Sequence, residues 1–479
     1  MITETELEEK YCLPWFQSLG WDVIHEIDIA PDSANPERDS YTEVLLKKTL
    51  STALERINPQ IPLETITETI TRLARPDSLD LIINNKAFHK LLLDGIDVKY
   101  KIDGELVDDK LFLIDFEDFD NKVNSFKAVS QFTIKGSKQL RRPDIVCFIN
   151  GLPLFVIELK SPSREDADIW NAFNQLQVYK EEITDLFIFN EALVISDGVT
   201  ARLGSLTANE ERFTPWKAIK NELDKPKHEW QLETLVRGFF NLEMLLDYIR
   251  YFIIFETNEE SKIIKKIAAY HQFHAVREAV KATLIASGAI LKEASNSTAL
   301  VLRAKVEVNS KKAGVIWHTQ GSGKSISMCC YVAKLIKLAA LKNPTILVVT
   351  DRNDLDGQLY GTFCNTKELF GQEPIQAENR LELREALAAR DVGGIIFTTV
   401  HKFTLSGDEE RHPVLNSRDN IVVISDEAHR SQYGLNAQLD HKRGIYKYGY
   451  ARHLRDAIPN ATFIGFTGTP ISLRDKDTR

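Results

Sequence analysis

Five short apolar runs in the second half of the chain constrain its fold more than any other feature. They stand in AGVIWHTQGSGKS, TILVVTDRNDLDGQ, GIIFTTVHKF, NIVVISDEAHR and ATFIGFTGTP. Each run is β-branched or aromatic, ends in a polar loop and leads into a stretch of helical character. Strands of that kind, separated by helices, pair in parallel and are covered on both faces, which predicts a doubly wound α/β sheet. The chain has 479 residues, more than one core can serve, so at least one further domain is expected ahead of this one.

The first half has a different rhythm. Residues 1–30 suggest an acidic helix followed by GWDVIHEIDI as a strand, and 41–75 read as two amphipathic helices broken at Asn58-Pro59. From 86 to 158 the pattern is one of strands, among them PDIVCFIN and PLFVIELK. A helix, EDADIWNAFNQLQVYKEEI, comes next, and LFIFNEALVISDG reads as further strands. The expectation is a mixed α/β domain with an antiparallel-rich sheet. NELDKPKHEW reads as an exposed connector, and 291–312 as a surface insertion.

Composition excludes several classes. A net charge of −9 argues against a generally basic nucleic-acid wrapper, but a local basic channel remains open. The five cysteines are odd in number and form no CxxC pair, which fits a reduced cytoplasmic chain without a zinc framework. The acidic start lacks a signal-peptide apolar region, and no apolar run approaches the ~18 residues of a membrane span.

PLFVIELKSPS, residues 153–163, raises a chemical question. Side chains two apart on a strand share a face, so Glu158 and Lys160 stand together on one side of an otherwise apolar run. A surface ion pair is the plain alternative, and it would contribute little. A hairpin folded about Gly151, however, places Asp144 opposite Glu158, at the ~5 Å separation of cross-strand neighbours. Two converging carboxylates repel unless something offsets the charge, and a divalent cation with oxygen ligands does so. Such an ion activates water, and Lys160 orients that water or helps deprotonate it. The chemistry implied is phosphodiester hydrolysis, with Mg²⁺ on Asp144 and Glu158. Lys135, Lys138, Arg141 and Arg142 supply positive charge nearby, for phosphates or as a solvated face.

HTQGSGKS, 318–325, lies between an apolar strand and a helix. The backbone N–H groups of such a turn wrap phosphates, and the helix N-terminus favours negative charge. Thr319, Gln320, Gly321, Ser322 and Gly323 form the loop, Lys324 reaches the β/γ-phosphates of ATP, and Ser325 binds Mg²⁺. His318 replaces the usual first Gly or Ala. About a hundred residues on, the strand IVVIS ends in Asp426-Glu427-Ala428-His429. Asp426 is expected on Mg²⁺, Glu427 on the attacking water, and His429 in coupling the nucleotide site to its neighbours.

These motifs resemble known families. PD…ELK at 143–160 resembles the PD-(D/E)xK nuclease core, and Gln175 and Tyr179 match the QxxxY element of its RecB-like members; Glu8 stands where some members contribute an extra acid. FTGTP resembles the motif that links ATP and DNA sites in superfamily 2 helicases. Tyr270 and Gln272 stand where such helicases keep an adenine-reading Q motif, and 348–359 and 398–403 where their DNA-tracking motifs lie. A RecB-like nuclease ahead of a superfamily 2 lobe resembles the motor (R) subunit of type I restriction-modification enzymes, from about residue 5 to about 473. That resemblance implies a nuclease domain with helical connector over 1–255, a RecA-like lobe over 256–473, and at 474–479 the start of a linker to a second lobe. It also implies ATP-driven translocation and cleavage of unmethylated double-stranded DNA, with methyltransferase (M) and specificity (S) subunits as partners. The alternatives are a DNA-repair helicase-nuclease not tied to a methyltransferase, or a truncated DNA-binding fragment. The family continues into a second lobe with an arginine finger, so residues 1–479 alone are expected to hydrolyse ATP poorly, as an N-terminal fragment or the product of a split gene.

Overall fold

The structure is a computed structural model describing residues 3–161, 169–220, 230–258, 260–289, 306–319, 321–350, 353–405, 411–426, 438–440, 445–447 and 450–468. It divides into two compact units, Met1–Tyr270 and His271–Arg479.

The first unit is built on a six-stranded mixed sheet whose spatial order follows the chain: β1 (Asp22–His25), β2 (Phe126–Ser130), β3 (Ile145–Ile149), β4 (Leu152–Leu159), β5 (Ala192–Ser196) and β6 (Ala201–Gly204). The β1–β2 and β4–β5 pairs are parallel and the other three antiparallel. Every residue of β3, β4 and β5 is buried, so both faces of the sheet centre are covered.

The β3–β4 hairpin turns at Asn150 and Gly151, with φ of 54° and 81°, the pair of positive values that a two-residue type I′ turn requires. The turn is pinned from outside. Leu46 N–H donates to Gly151 O at 3.0 Å just before helix α1 (Lys47–Ile57), and a Cβ on Gly151 would lie 2.5 Å from Leu46 O. Next to the turn Ile149 pairs Leu152 and Phe148 pairs Pro153, but farther out Cys147 pairs Phe155 and Ile145 pairs Ile157. Leu154 is thus the extra residue of a β-bulge. Its carbonyl turns to the next strand and accepts from Glu191 N–H at 2.6 Å. A one-residue slip reverses which face a side chain takes; the bulge therefore brings Asp144, the next residue outward, opposite Glu158.

Three segments differ from the sequence pattern. Leu81–Asp94 is a helix that runs into the span expected to be strands from residue 86, Glu26–Ile29 is a helical turn inside one expected strand, and Thr184–Ile188 is a helical turn overlapping the start of another. The helix was hidden by its buried polar face. Asn85 Nδ2 donates to the carbonyls of Ile188 and Asn190 at 2.9 and 2.8 Å, and His89 Nδ1 lies 2.9 Å from Glu191 Oε2. Lys265, from the hairpin Ile253–Thr257/Ile263–Ile267, completes this buried network at 3.3 Å from the same Glu191 oxygen. The Asn58-Pro59 break falls as expected, between α1 and the helix Leu63–Leu73.

The second unit holds an all-parallel six-stranded sheet of β7 (Lys312–Trp317), β8 (Thr345–Thr350), β9 (Ile375–Gln376), β10 (Ile395–Thr399), β11 (Ile421–Asp426) and β12 (Thr462–Thr467). Their spatial order is β7-β12-β11-β8-β10-β9. The apolar runs of β8, β10, β11 and β12 are buried along their whole length, as a sheet covered on both faces requires. All five cysteines are free. Among the described residues no helix is long and apolar enough to cross a membrane.

Candidate active sites

In the first unit, Asp144 lies just before β3 and Glu158 and Lys160 at the end of β4. The Asp144 carboxylate is fixed through Oδ2, which accepts from Leu159 N–H at 2.7 Å. Lys160 Nζ lies 3.0 Å from Glu158 Oε1, while Glu158 Oε2 is buried with no hydrogen-bond partner among the described residues. Glu8 comes from the first turn of a π-helical segment, Glu8–Cys12, and accepts from Gln131 Nε2 at 2.6 Å. Glu8, Gln131, Arg141, Arg142, Asp144 and Tyr179 line a cleft of about 350 Å³.

Gln175 and Tyr179 stand one turn apart on α2 (Ile169–Glu182), where the Gln175 amide donates to Tyr179 Oη at 2.5 Å. Of the basic residues, Arg141 donates to Glu182 at 2.6 Å, whereas Lys135, Lys138 and Arg142 are exposed. Gln131 was not legible as a site residue. It sits in an apolar run, AVSQFTI, and only the tertiary fold brings it to the acids.

The electrostatics favour a cation. Burial pushes the Glu8 carboxyl up to about 8, with Asp144's charge adding to the effect. Burial also raises Asp144 to about 6, against the opposing pull of Leu159 N–H and Lys160. Glu158 is held well above the usual carboxylate range, first by burial and then by Asp144's charge. Three acids that resist ionising together, one with an orphaned buried oxygen, fit a divalent ion that would take the place of protons. Among the described residues no three or more His, Cys, Asp or Glu form a metal cage. Two carboxylates, with water and phosphate oxygens completing the shell, match how Mg²⁺ is commonly held.

In the second unit the carboxyl ends of the parallel strands gather the other motif residues, where ligands of such sheets bind. The loop from His318 to Gly323 joins β7 to α4 (Lys324–Lys337), with φ of 82° at Gly321 and 78° at Gly323. A Cβ on Gly323 would lie 2.4 Å from Gln272 Nε2. Helix α3 (Tyr270–Ser287) carries Gln272, whose amide donates to the carbonyls of Ser322 and Gly323, both at 3.0 Å. Lys324 Nζ lies 2.8 Å from Asp426 Oδ1 at the end of β11, and Ser325 follows in the first turn of α4. His318 is buried, its N–H donating to Thr467 O at 3.0 Å, and Thr319 is exposed. Tyr270 closes the first unit, its ring 5.8 Å from the Lys217 ammonium. Gln320, Glu427 and His429 lie outside the described residues.

The two folds define the class: a mixed-sheet α/β unit followed by a parallel-sheet α/β unit with a glycine-rich strand-to-helix loop. Residues 1–212 match the family described as type I restriction enzyme R protein N terminus, and residues 271–479 match the SWI2/SNF2 ATPase family. The type I restriction enzyme HindI endonuclease subunit of Haemophilus influenzae is 48% identical over 482 residues, covering 100% of this chain and 44% of that protein. A putative type I restriction enzyme MjaIXP endonuclease subunit of Methanocaldococcus jannaschii is 33% identical, covering 100% of this chain and 43% of its own length. The SsaAORF53P endonuclease subunit of Staphylococcus saprophyticus is 29% identical over 72% of this chain and 32% of its own. The chain belongs to the type I restriction enzyme R-protein family, and it spans less than half the length of these relatives.

Proposed function

We propose that this chain supplies the nuclease and the first motor lobe of a type I restriction enzyme. On this reading the enzyme cleaves unmethylated foreign double-stranded DNA with ATP-driven translocation, and methyltransferase and specificity subunits provide methylation and site recognition. The observation that carries the nuclease half is the convergence of Asp144, Glu158 and Lys160 at one end of a bulged hairpin. Relatives named as endonuclease subunits support it.

Asp144 and Glu158 would hold Mg²⁺, which when bound supplies a more acidic water and charge stabilisation at the phosphate. Lys160 orients the attacking water from beside Glu158. Tyr179, held by Gln175, and the exposed Arg142 face the DNA backbone from the cleft wall. In the second unit the Gly321–Gly323 turn and the N-terminus of α4 cradle the ATP phosphates. Lys324, paired with Asp426 in this structure, would contact those phosphates, and Asp426 and Ser325 would hold the nucleotide's Mg²⁺. Glu427 would polarise the water, His429 would couple the nucleotide site to its neighbours, Thr319 and Gln320 belong to the loop, and of the Q-motif pair Tyr270 and Gln272 the second would act by holding that loop through the Ser322 and Gly323 carbonyls.

The test is Mg²⁺-dependent nicking of supercoiled DNA by the assembled enzyme, compared with Asp144→Asn. Loss of nicking in the variant, together with co-purification with a methyltransferase, is expected. Undiminished nicking by the variant overturns the nuclease assignment. Full activity without any methyltransferase partner points instead to a stand-alone helicase-nuclease.

A further inference from the structure

Among the described residues, the neutral side chain of Gln131 hydrogen-bonds to two of the three acids. It directly follows β2, with φ of 56°, in the left-handed region that non-glycine residues seldom occupy. From there its backbone N–H donates to Asp144 O at 2.7 Å, which extends the β2–β3 ladder by one bond. Its side-chain Nε2 lies 2.6 Å from Glu8 Oε2 and 3.4 Å from Asp144 Oδ1. Leu159 N–H occupies the other Asp144 oxygen, so the backbone of β4 on one side and Gln131 on the other fix this carboxylate. Glu8 is 4% exposed, and Gln131 is its hydrogen-bond donor among the described residues.

We propose that Gln131 is a positioning residue of the nuclease site, its amide tying the Asp144 carboxylate to Glu8 so that Asp144 stands ready, with Glu158, to receive a divalent cation. The inference rests on the nuclease reading above and adds a residue that the motif pattern does not contain. An amide suits the task on charge grounds. Its N–H groups offset the repulsion between two buried acids, yet it brings no net positive charge to compete with the incoming ion. A lysine in its place would neutralise the acids and repel the metal. An apolar side chain would leave Glu8 buried with no donor, a state that costs more than the bond itself contributes. Groups that orient metal ligands in this way typically change metal affinity by roughly 10–100-fold when removed.

The test is Mn²⁺ binding by the full 479-residue chain, read as free Mn²⁺ by electron paramagnetic resonance, without nucleotide or DNA. Gln131→Met keeps the length and removes the donor; Gln131→Asn accepts the left-handed backbone more readily but shortens the reach. Both are expected to bind Mn²⁺ roughly 10–100-fold more weakly while the chain still melts in a cooperative transition. In a Glu8→Gln background the Gln131→Met change is expected to add little further loss. Wild-type affinity in Gln131→Met, with binding lost in Asp144→Asn, overturns the role of Gln131 and leaves the nuclease reading standing. Wild-type affinity in Asp144→Asn removes the metal site and this proposal with it. If Gln131→Met fails to fold, Gln131→Asn decides, and wild-type binding there overturns the inference.

Discussion

Asp144 and Glu158 face one another across the β3–β4 hairpin because Leu154 is bulged out between them and the turn. The inner pairs, Ile149 with Leu152 and Phe148 with Pro153, follow one register; the outer pairs, Cys147 with Phe155 and Ile145 with Ile157, follow another. Had the inner register run on, Asp144 would stand opposite Ile157, on the apolar face. The acid pair therefore depends on a turn and a bulge as much as on its own residues.

Gly151→Ala tests the turn. The added Cβ meets Leu46 O at 2.5 Å and the backbone must keep φ near 81°, so both sterics and conformation oppose it. The expected loss exceeds about 1 kcal/mol, the level at which an alanine forced to positive φ becomes destabilising. Thermal melting of the variant against wild type gives the answer, and an unchanged melting temperature would show that the turn relaxes freely.

Glu191 holds the bulge from the other side. Its N–H binds Leu154 O, and its carboxylate meets His89 and Lys265 in the interior. Removing one member of a buried charge network leaves the others unpaired, which typically costs about 3–5 kcal/mol. Glu191→Ala should destabilise the first unit by that order, read from its denaturant unfolding curve, and Glu191→Leu combined with Lys265→Met should cost less than Glu191→Ala. Additive losses in the double variant would contradict a coupled pair.

Gln272 is expected to support nucleotide binding through the P-loop backbone. Two hydrogen bonds, to Ser322 O and Gly323 O, at about 0.5–1.5 kcal/mol net each, set the loss in Gln272→Ala at roughly five- to 150-fold in ATP affinity. Lys324→Ala should abolish detectable binding. Titration with a fluorescent ATP analogue measures both, and wild-type affinity in Gln272→Ala would remove the loop-holding role.

His318 gives the second unit an acid sensitivity. Burial, reinforced by His271 and Lys324, lowers its imidazole to about 4, below the ordinary 6.5. The folded state thus holds it neutral while the unfolded chain binds a proton. Stability from this group is complete above pH 6.5 and falls as pH drops from 6.5 toward about 4. His318→Gln should flatten that part of the stability profile. A profile equally steep in the variant would assign the slope to other groups.

Much of this was legible in the sequence where the signal is local. The HTQGSGKS spacing reads as a strand-to-helix glycine turn by itself, because Gly321 and Gly323 take backbone angles that few other residues adopt. PDIVCFIN and PLFVIELK read as strands, and folding them about Gly151 gave the correct partner for Asp144. It did so with a single register, whereas the hairpin uses two, since no residue in LPLFV announces a bulge. The helix Leu81–Asp94 was obscured because Asn84, Asn85 and His89 look like solvent positions. Asn85 and His89 are buried by hydrogen bonds to partners some hundred residues away, which no window of sequence contains, while Asn84 bonds locally to Ser78. Gln131 was missed for the same reason: its two acids come from residues 8 and 144.

The division of labour between the units is the central claim, and paired rate measurements on the assembled enzyme test it most directly. DNA cleavage and ATP hydrolysis are followed side by side in wild type, Glu158→Ala and Lys160→Ala. The account predicts that both variants lose cleavage and hydrolyse ATP at the wild-type rate, because Lys324, Ser325 and Asp426 belong to the other unit. Equal loss of both activities, or cleavage that survives either substitution, would contradict it.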